Sequence, residues 1–105
     1  GPSTLIFDEI DVGIGGATAE RMGRLLKQLG NKHQVISVTH QPQVAALAHQ
    51  HLLVNKLSSK QQTRTQIRTL NAEQRQQELA RMLGGLEITD STLTHAKDML
   101  VAAQA

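Results

Sequence analysis

The residues most suited to chemistry are two adjacent carboxylates, Asp8 and Glu9, which directly follow the apolar run Leu5-Ile6-Phe7. A short apolar run is typical of a buried strand, most often in a parallel sheet. Open α/β sheets bind ligands at the carboxyl ends of their strands, which is where both carboxylates would lie. One carboxylate suits a Mg²⁺ shell, and its neighbour can orient or deprotonate a water for phosphoryl transfer. The alternative for this segment alone is a strand followed by a solvated acidic turn.

A second candidate group is His40, which follows the β-branched run 34–39. That run predicts another buried strand, so Asp8-Glu9 and His40 would end two consecutive strands at one edge of a sheet. At such an edge Glu9 could serve the attacking water, and His40 could donate a hydrogen bond to a γ-phosphate oxygen. The alternative is that His40 merely caps a helix beginning near Pro42.

A glycine-containing loop follows the carboxylates. Its members of interest are Asp11, Gly13, Gly15 and Gly16. The loop matches the dinucleotide-binding pattern G-x-G-x-x-G only weakly, because Thr18 stands where the third glycine belongs. A pyrophosphate there would meet the nearby carboxylates, and each like-charge contact at ~4 Å costs about 1–4 kcal/mol. We therefore reject an NAD site.

The sequence contains no G-x-x-x-x-G-K-S/T motif and no Gly-Lys pair. It thus has no phosphate-cradling loop of its own, and an ATP-dependent activity would require further protein.

Two other polar groups are weaker candidates. His49 and His51 could share one face of a strand, but no third metal ligand is evident, which disfavours a metal site. Four cations lie in the following segment, namely Lys56, Lys60, Arg64 and Arg68. Without aromatic stacking partners they favour a solvated face over a nucleic-acid platform.

Length and composition predict a single domain over residues 1–105, with Gly1-Pro2-Ser3 set aside as a candidate cloning remnant. Hydrophobic residues make up 39% of the chain and Phe7 is its one aromatic residue, so we expect an aliphatic core. The net charge of +2 does not mark a nucleic-acid binder. The absence of cysteine fits a reducing compartment, and no apolar run reaches membrane-spanning length. We expect a cytoplasmic protein without membrane contact.

Hydrophobic periodicity predicts the elements that position these groups. Helices are expected over about 17–29, 42–48, 71–83 and from 89 onward, and strands over 5–7, 34–39, 51–56 and 63–70, the last two as a hairpin. The first helix would bury the stripe Met22, Leu25, Leu26 and Leu29. The third would bury Ala72, Leu79, Ala80 and Leu83, and the expected caps of the last two helices are Asn71, with Gln74 three residues on, and Thr89. The fold class is therefore α/β, with a mainly parallel sheet, flanking helices and a carboxyl-terminal helical pair.

Several of these motifs resemble one protein family. The segment 5–9 resembles the Walker B strand of ABC-type ATPases, and 38–40 resembles their switch-histidine loop. The intervening loop 11–16 is similar to the D-loop of the RecN family of bacterial DNA-repair proteins, which are SMC-related ATPases. Segments 38–46, 49–51 and 78–85 point the same way. The resemblance extends from Leu5 to nearly the end of the chain.

The resemblance implies a role for each matching residue. Asp8 would hold Mg²⁺, through water, and Glu9 would be the catalytic base. His40 would be the γ-phosphate switch. The D-loop residues would reach nucleotide across a head–head homodimer, and they are Asp11, Gly13, Gly15 and Gly16.

The resemblance also implies a P-loop NTPase-like fold, ATP and Mg²⁺ as cofactors, DNA as a partner and a nucleoid-associated location. The P-loop, the coiled-coil arms and the signature motif of this family precede the matching region and are not in this sequence. The chain would then be the carboxyl-terminal lobe of an ATPase head, inactive without the amino-terminal lobe.

Two alternatives from other classes stay open. The first is a non-catalytic α/β protein-interaction module whose acidic loop docks on a partner. The second is a Mg²⁺-dependent receiver or phosphatase-like domain, which lacks a clear nucleophilic Asp followed by a Lys at a later strand end.

Overall fold

Strands and helices alternate in the first half of the chain, and a hairpin and two helices form the second. The computed structural model describes residues 4–8, 13, 15–60, 62–84 and 87–104. Their elements are β1 (Thr4–Asp8), α1 (Gly16–Leu29), β2 (Gln34–Val38), α2 (Pro42–Ala45), β3 (Leu52–Ser58), β4 (Thr63–Thr69), α3 (Ala72–Gly84) and α4 (Asp90–Ala103). Every predicted helix and strand is present, with bounds that differ by only a few residues.

The strands form two separate pairs in the described part of the chain. β1 and β2 are parallel, with Thr4 opposite Gln34 and Asp8 opposite Val38. β3 and β4 form the predicted antiparallel hairpin, and no pairing joins β2 to β3. The predicted mainly parallel sheet is therefore formed only in part. Alternation along a sequence marks strands, but it does not determine which strands become neighbours.

Two hydrophobic clusters form the core of the described residues, and the short helix α2 contributes to both. One contains Ala19, Leu26 and Val44, with Phe7, Leu29 and Val35 packed against it. The other contains Ala45, Ala46, Leu79, Ala80 and Ala96, with partly buried residues of α3 and α4 around it. The helix that follows β2 thus joins the strand region to the helical pair.

The buried face of α1 differs from the predicted stripe. Leu25 is 58% exposed, whereas Gly23 is buried. A Cβ at Gly23 would lie 2.8 Å from Leu47 Cδ1 and 3.3 Å from Val44 Cα, so α1 and α2 approach too closely for a side chain there. The prediction failed because it relied on a stripe of large apolar residues, the usual sign of a packed helix face. A helix contact made at a glycine leaves no such stripe in the sequence.

Both helices of the carboxyl-terminal pair start at predicted caps. Asn71 Oδ1 accepts from the Gln74 N–H at 2.8 Å, and Gln74 Oε1 accepts from the Asn71 N–H at 3.0 Å. Thr89 and Thr92 form the same reciprocal arrangement at α4. These bonds satisfy N–H groups that have no partner within the helix. The predicted apolar face of α3 is wrong at Ala72, which is exposed in the first turn.

Apolar residues remain exposed on the strands. Ile6 is 70% exposed, Val54 58% and Ile67 63%. The total accessible surface is 7523 Å², whereas a monomeric protein of this mass exposes about 5,800 Å². None of the helices in the described ranges has both the length and the apolar character that crossing a membrane requires.

Candidate functional site

The ends of β1 and β2 lie side by side, as the strand order predicted. Asp8 is the last residue of β1 and pairs in register with Val38, the last residue of β2. His40 follows two residues later, and both Asp8 and His40 are exposed. One edge of the parallel pair therefore presents a carboxylate and an imidazole. Two further predicted site residues, Glu9 and Asp11, lie outside the described residues.

Packing under this edge anchors both strands. Phe7 and Val35 alternate inward, and both pack against the cluster of Ala19, Leu26 and Val44. Because successive strand residues point to opposite faces, an inward Phe7 directs Asp8 to the outer face. One cluster thus connects β1, α1, β2 and α2, the elements from which the two site loops extend.

The glycine loop leads into α1. Gly13 has φ +80°, a backbone conformation that favours glycine, and Gly15 precedes the first turn of α1. A Cβ at Gly16 would lie 3.2 Å from Gln43 Nε2. The start of α1 therefore adjoins α2, the helix that follows the His40 loop.

The loop that carries His40 has its own hydrogen bonds. The Gln41 N–H donates to Thr39 Oγ1 at 2.9 Å, and Pro42 starts α2, where a missing N–H costs nothing. The N-cap residue of α2 is Gln41. The N-cap position is thus one residue after His40, and a capping role for the His40 side chain stays a prediction.

The other end of α2 is held by Arg75 of α3. Its Nη2 atom lies 3.0 Å from the Ala45 carbonyl oxygen, 3.2 Å from that of Ala46 and 2.5 Å from that of Ala48. Carbonyl groups at a helix end lack intrahelical donors, and a guanidinium there also complements the negative end of the helix dipole.

His51 lies close to this contact, at the start of β3. Burial lowers the pKa of His51, and the positive charge of Arg75 lowers it further, while Glu78 opposes the shift. The Nδ1 atom of His51 and the Nε atom of Arg75 are buried without a hydrogen-bond partner among the described residues. Burial and Arg75 thus both disfavour the charged form of the imidazole.

The donors present fit a nucleotide-bound magnesium ion better than a protein cage. The described residues contain no group of three or more His, Cys, Asp or Glu side chains that could hold a metal. Mg²⁺ usually keeps several waters and takes one or two carboxylates together with substrate phosphates. Asp8, exposed at a strand end beside the glycine loop, has the chemistry for such a shared shell.

Sequence reasoning missed three residues that shape this region: Gly23, Gln43 and Arg75. Gln43 adjoins the start of α1, and Gly23 allows α1 to approach α2. Of the three, only Arg75 could have been noticed in the sequence, because it lies near the start of a capped helix, before the apolar residues of that helix. All three depend on contacts between elements that are distant in sequence.

Comparison with known proteins identifies relatives of this chain. It is 54% identical to the DNA repair protein RecN of Vibrio cholerae over 100 residues, which is 95% of this chain and 18% of that protein. It is 50% identical to RecN of Rickettsia prowazekii over 92% of this chain, and 46% identical to RecN of Xylella fastidiosa over 96%. The chain spans 18% of the length of each of these relatives.

The fold also matches a solved structure. A chain from a structural study of ATP-driven dimerization and DNA-stimulated activation of SMC ATPases superposes with a TM-score of 0.56 at 21% identity. The match covers 68% of this chain and 42% of that chain. No protein-family model matches the sequence. With 46–54% identity to these relatives over more than nine-tenths of its length, this chain belongs to the RecN family and corresponds to a carboxyl-terminal portion of its members.

Proposed function

We propose that this chain forms the carboxyl-terminal lobe of a RecN-type ATPase head with a P-loop NTPase fold. It acts, within a longer protein, in recombinational repair of DNA double-strand breaks. The observation that carries the proposal is the parallel pairing of β1 with β2, which brings Asp8 and the His40 loop to one edge of the sheet. The identity to RecN DNA-repair proteins supports the assignment of that edge to ATP chemistry.

Each site residue has a proposed role in hydrolysis. Asp8 binds Mg²⁺ through water, and Glu9 accepts a proton from the attacking water. His40 donates a hydrogen bond to a γ-phosphate oxygen. A second head of the same protein receives the D-loop, made up of Asp11, Gly13, Gly15 and Gly16. Bound Mg²⁺ offsets the mutual repulsion of the carboxylates and the phosphates.

The exposed apolar faces of the strands support the proposal that this lobe packs against another lobe. Ile6, Ile36 and Val38 lie on the face of the parallel pair that no described helix covers. Parallel sheets are usually covered on both faces. The accessible surface is about 1,700 Å² larger than that of a monomeric protein of this mass. One partner of a standard interface buries about 800 Å², so the excess is large enough for a stable interface. We assign this surface to the amino-terminal lobe of the same protein.

The test uses the full-length protein that contains this chain. Glu9→Gln keeps the shape of the side chain and removes the base, so ATP hydrolysis should fall by at least about 100-fold while ATP binding persists. His40→Ala should also slow hydrolysis. Asp90→Asn is a matched control, because Asp90 is an exposed residue at the start of α4, remote in sequence from both loops.

The same variants separate this proposal from an interaction module. A module with an acidic docking loop predicts that Glu9→Gln weakens binding of a partner and leaves nucleotide turnover intact. Unchanged ATP hydrolysis in Glu9→Gln would remove Glu9 from the role of base, and unchanged hydrolysis in both variants would overturn the proposed function.

A further inference from the structure

We propose that Arg75, which contacts the far end of α2, is a positioning residue for the His40 loop and thereby couples the carboxyl-terminal helical pair to ATP turnover. The inference rests on the proposed function, since it assigns Arg75 a role through His40. It adds a residue of α3 to the residues that place His40.

Arg75 contacts the end of α2 directly. The Nη2 atom of Arg75 lies within 3.2 Å of three backbone carbonyl oxygens, those of Ala45, Ala46 and Ala48. These carbonyls belong to the last turn of α2 and to the residues just after it. A planar guanidinium offers donors in a fixed geometry, so several acceptors gathered around it constrain the chain more than one flexible ammonium can.

The helix α2 is short. Only four residues separate His40 from Ala45, and α2 itself runs from Pro42 to Ala45. The Ala45 N–H donates to the Gln41 carbonyl oxygen at 3.1 Å, and the Ala46 N–H donates to that of Pro42 at 2.9 Å. A displacement of the last turn therefore passes directly to Gln41, which adjoins His40.

The helix α2 is fixed from two sides. On one side Val44 and Leu47 pack into the notch left by Gly23 of α1. On the other side Arg75 holds the carbonyls. Removing Arg75 leaves α2 attached to α1 but free to tilt at its far end. Burial lowers the pKa of Arg75, and the hydrogen bonds to carbonyls offset part of its desolvation cost.

Misplacement of a catalytic group by about 1 Å can cost about 100-fold in rate. We therefore expect Arg75→Ala in the full-length protein to lower kcat for ATP hydrolysis by about 10-fold, with KM for ATP changed by less than about twofold. Arg75→Lys keeps the charge and one set of donors, so it should recover part of the lost kcat.

A double variant separates positioning from general destabilisation. If Arg75 acts through His40, then His40→Ala combined with Arg75→Ala should turn over at nearly the rate of His40→Ala alone, because the loop has no further group to misplace. If the two residues acted independently, the fold-losses in kcat of the two single variants would multiply in the double variant. The double variant thus shows whether the effect of Arg75→Ala on kcat depends on His40. A general loss of stability would not produce such a dependence.

Two single variants serve as controls. Arg81→Ala removes a cation of the same helix that pairs only with Glu78 in the described residues, and it should leave kcat unchanged. Leu93→Ala lowers stability through the α3–α4 core, where Leu93 packs, and kcat measured below its melting temperature should stay near the original.

Each outcome decides the inference. Wild-type kcat in Arg75→Ala, multiplicative losses in the double variant, or an equal loss of kcat in Leu93→Ala would overturn it. Full turnover in His40→Ala would remove His40 from its proposed role and overturn this inference with it, whereas unchanged turnover in both His40→Ala and Glu9→Gln would overturn the proposed function. Loss of turnover in His40→Ala with normal turnover in Arg75→Ala would overturn this inference alone.

Discussion

The helical pair and the strands of this chain bury their apolar residues very differently. In α3 and α4, Leu79, Ala80 and Ala96 have no exposed surface. On the strands, Ile6 and Ile67 keep most of theirs, and every residue of β4 is exposed. The chain therefore has a complete core where helix meets helix, while its strands carry apolar faces suited to burial against further protein.

The candidate site lies in the incompletely covered region. Asp8 and His40 extend from strands that have one packed face, whereas Arg75 belongs to the fully packed region and reaches α2 from there. This division suggests that the helical pair supports the site, and that the remaining protein completes it.

The 105-residue chain alone should hydrolyse no measurable ATP, because its sequence has no phosphate-cradling loop. The measurement is phosphate release by the purified chain, compared with the full-length protein at equal molarity. Hydrolysis by the chain that disappears in Glu9→Gln would show that the strand region is complete by itself, and the contrast between the two regions would fail.

Leu79→Ala should destabilise the chain by about 2–5 kcal/mol, because it empties a fully buried position of the helical core. Ile6→Ala, on the exposed strand face, should change the free energy of unfolding by less than about 0.5 kcal/mol. Urea unfolding of both variants measures the difference. Equal losses would mean that the face of β1 around Ile6 is already covered in the isolated chain.

Gly23→Ala should cost about 1 kcal/mol. The added methyl would lie 3.3 Å from Val44 Cα, which is backbone and cannot move aside, and this outweighs the gain of about 0.5–1 kcal/mol in helix propensity. Gly16→Ala is the matched control, since its methyl would meet only the flexible end of Gln43. A stabilising Gly23→Ala would show that α1 and α2 can separate without cost.

His51 should make stability depend on pH where the hairpin meets α3. Its pKa is lowered in the folded chain by burial first and by Arg75 next, so below about pH 6.5 the unfolded state binds more protons. Stability should therefore fall as the pH drops below that value and level off above it. His51→Gln should flatten the difference in melting temperature between pH 5.5 and pH 7.5. An unchanged difference would mean that His51 is solvated.

Sequence reasoning predicted the elements well and their contacts poorly. The caps at Asn71 and Thr89 were found because capping depends on residues three apart, a purely local pattern. Leu25 was wrongly placed in the core because the glycine notch at Gly23 replaces the expected apolar stripe. For the candidate site, the edge bearing Asp8 and His40 was predictable from strand order. The contact of Arg75 with α2 was not.

The sequence alone determined where strands and helices begin and end, which residue types end each strand, and that no phosphate-binding loop is included. These properties depend on neighbours within one or two turns of chain. Three features required the tertiary structure: the lack of pairing between β2 and β3 in the described residues, the approach of α1 to α2 at a glycine, and the guanidinium of α3 that holds the helix after His40. Such contacts join residues 20 or more positions apart, and their energy depends on distances that no local pattern encodes.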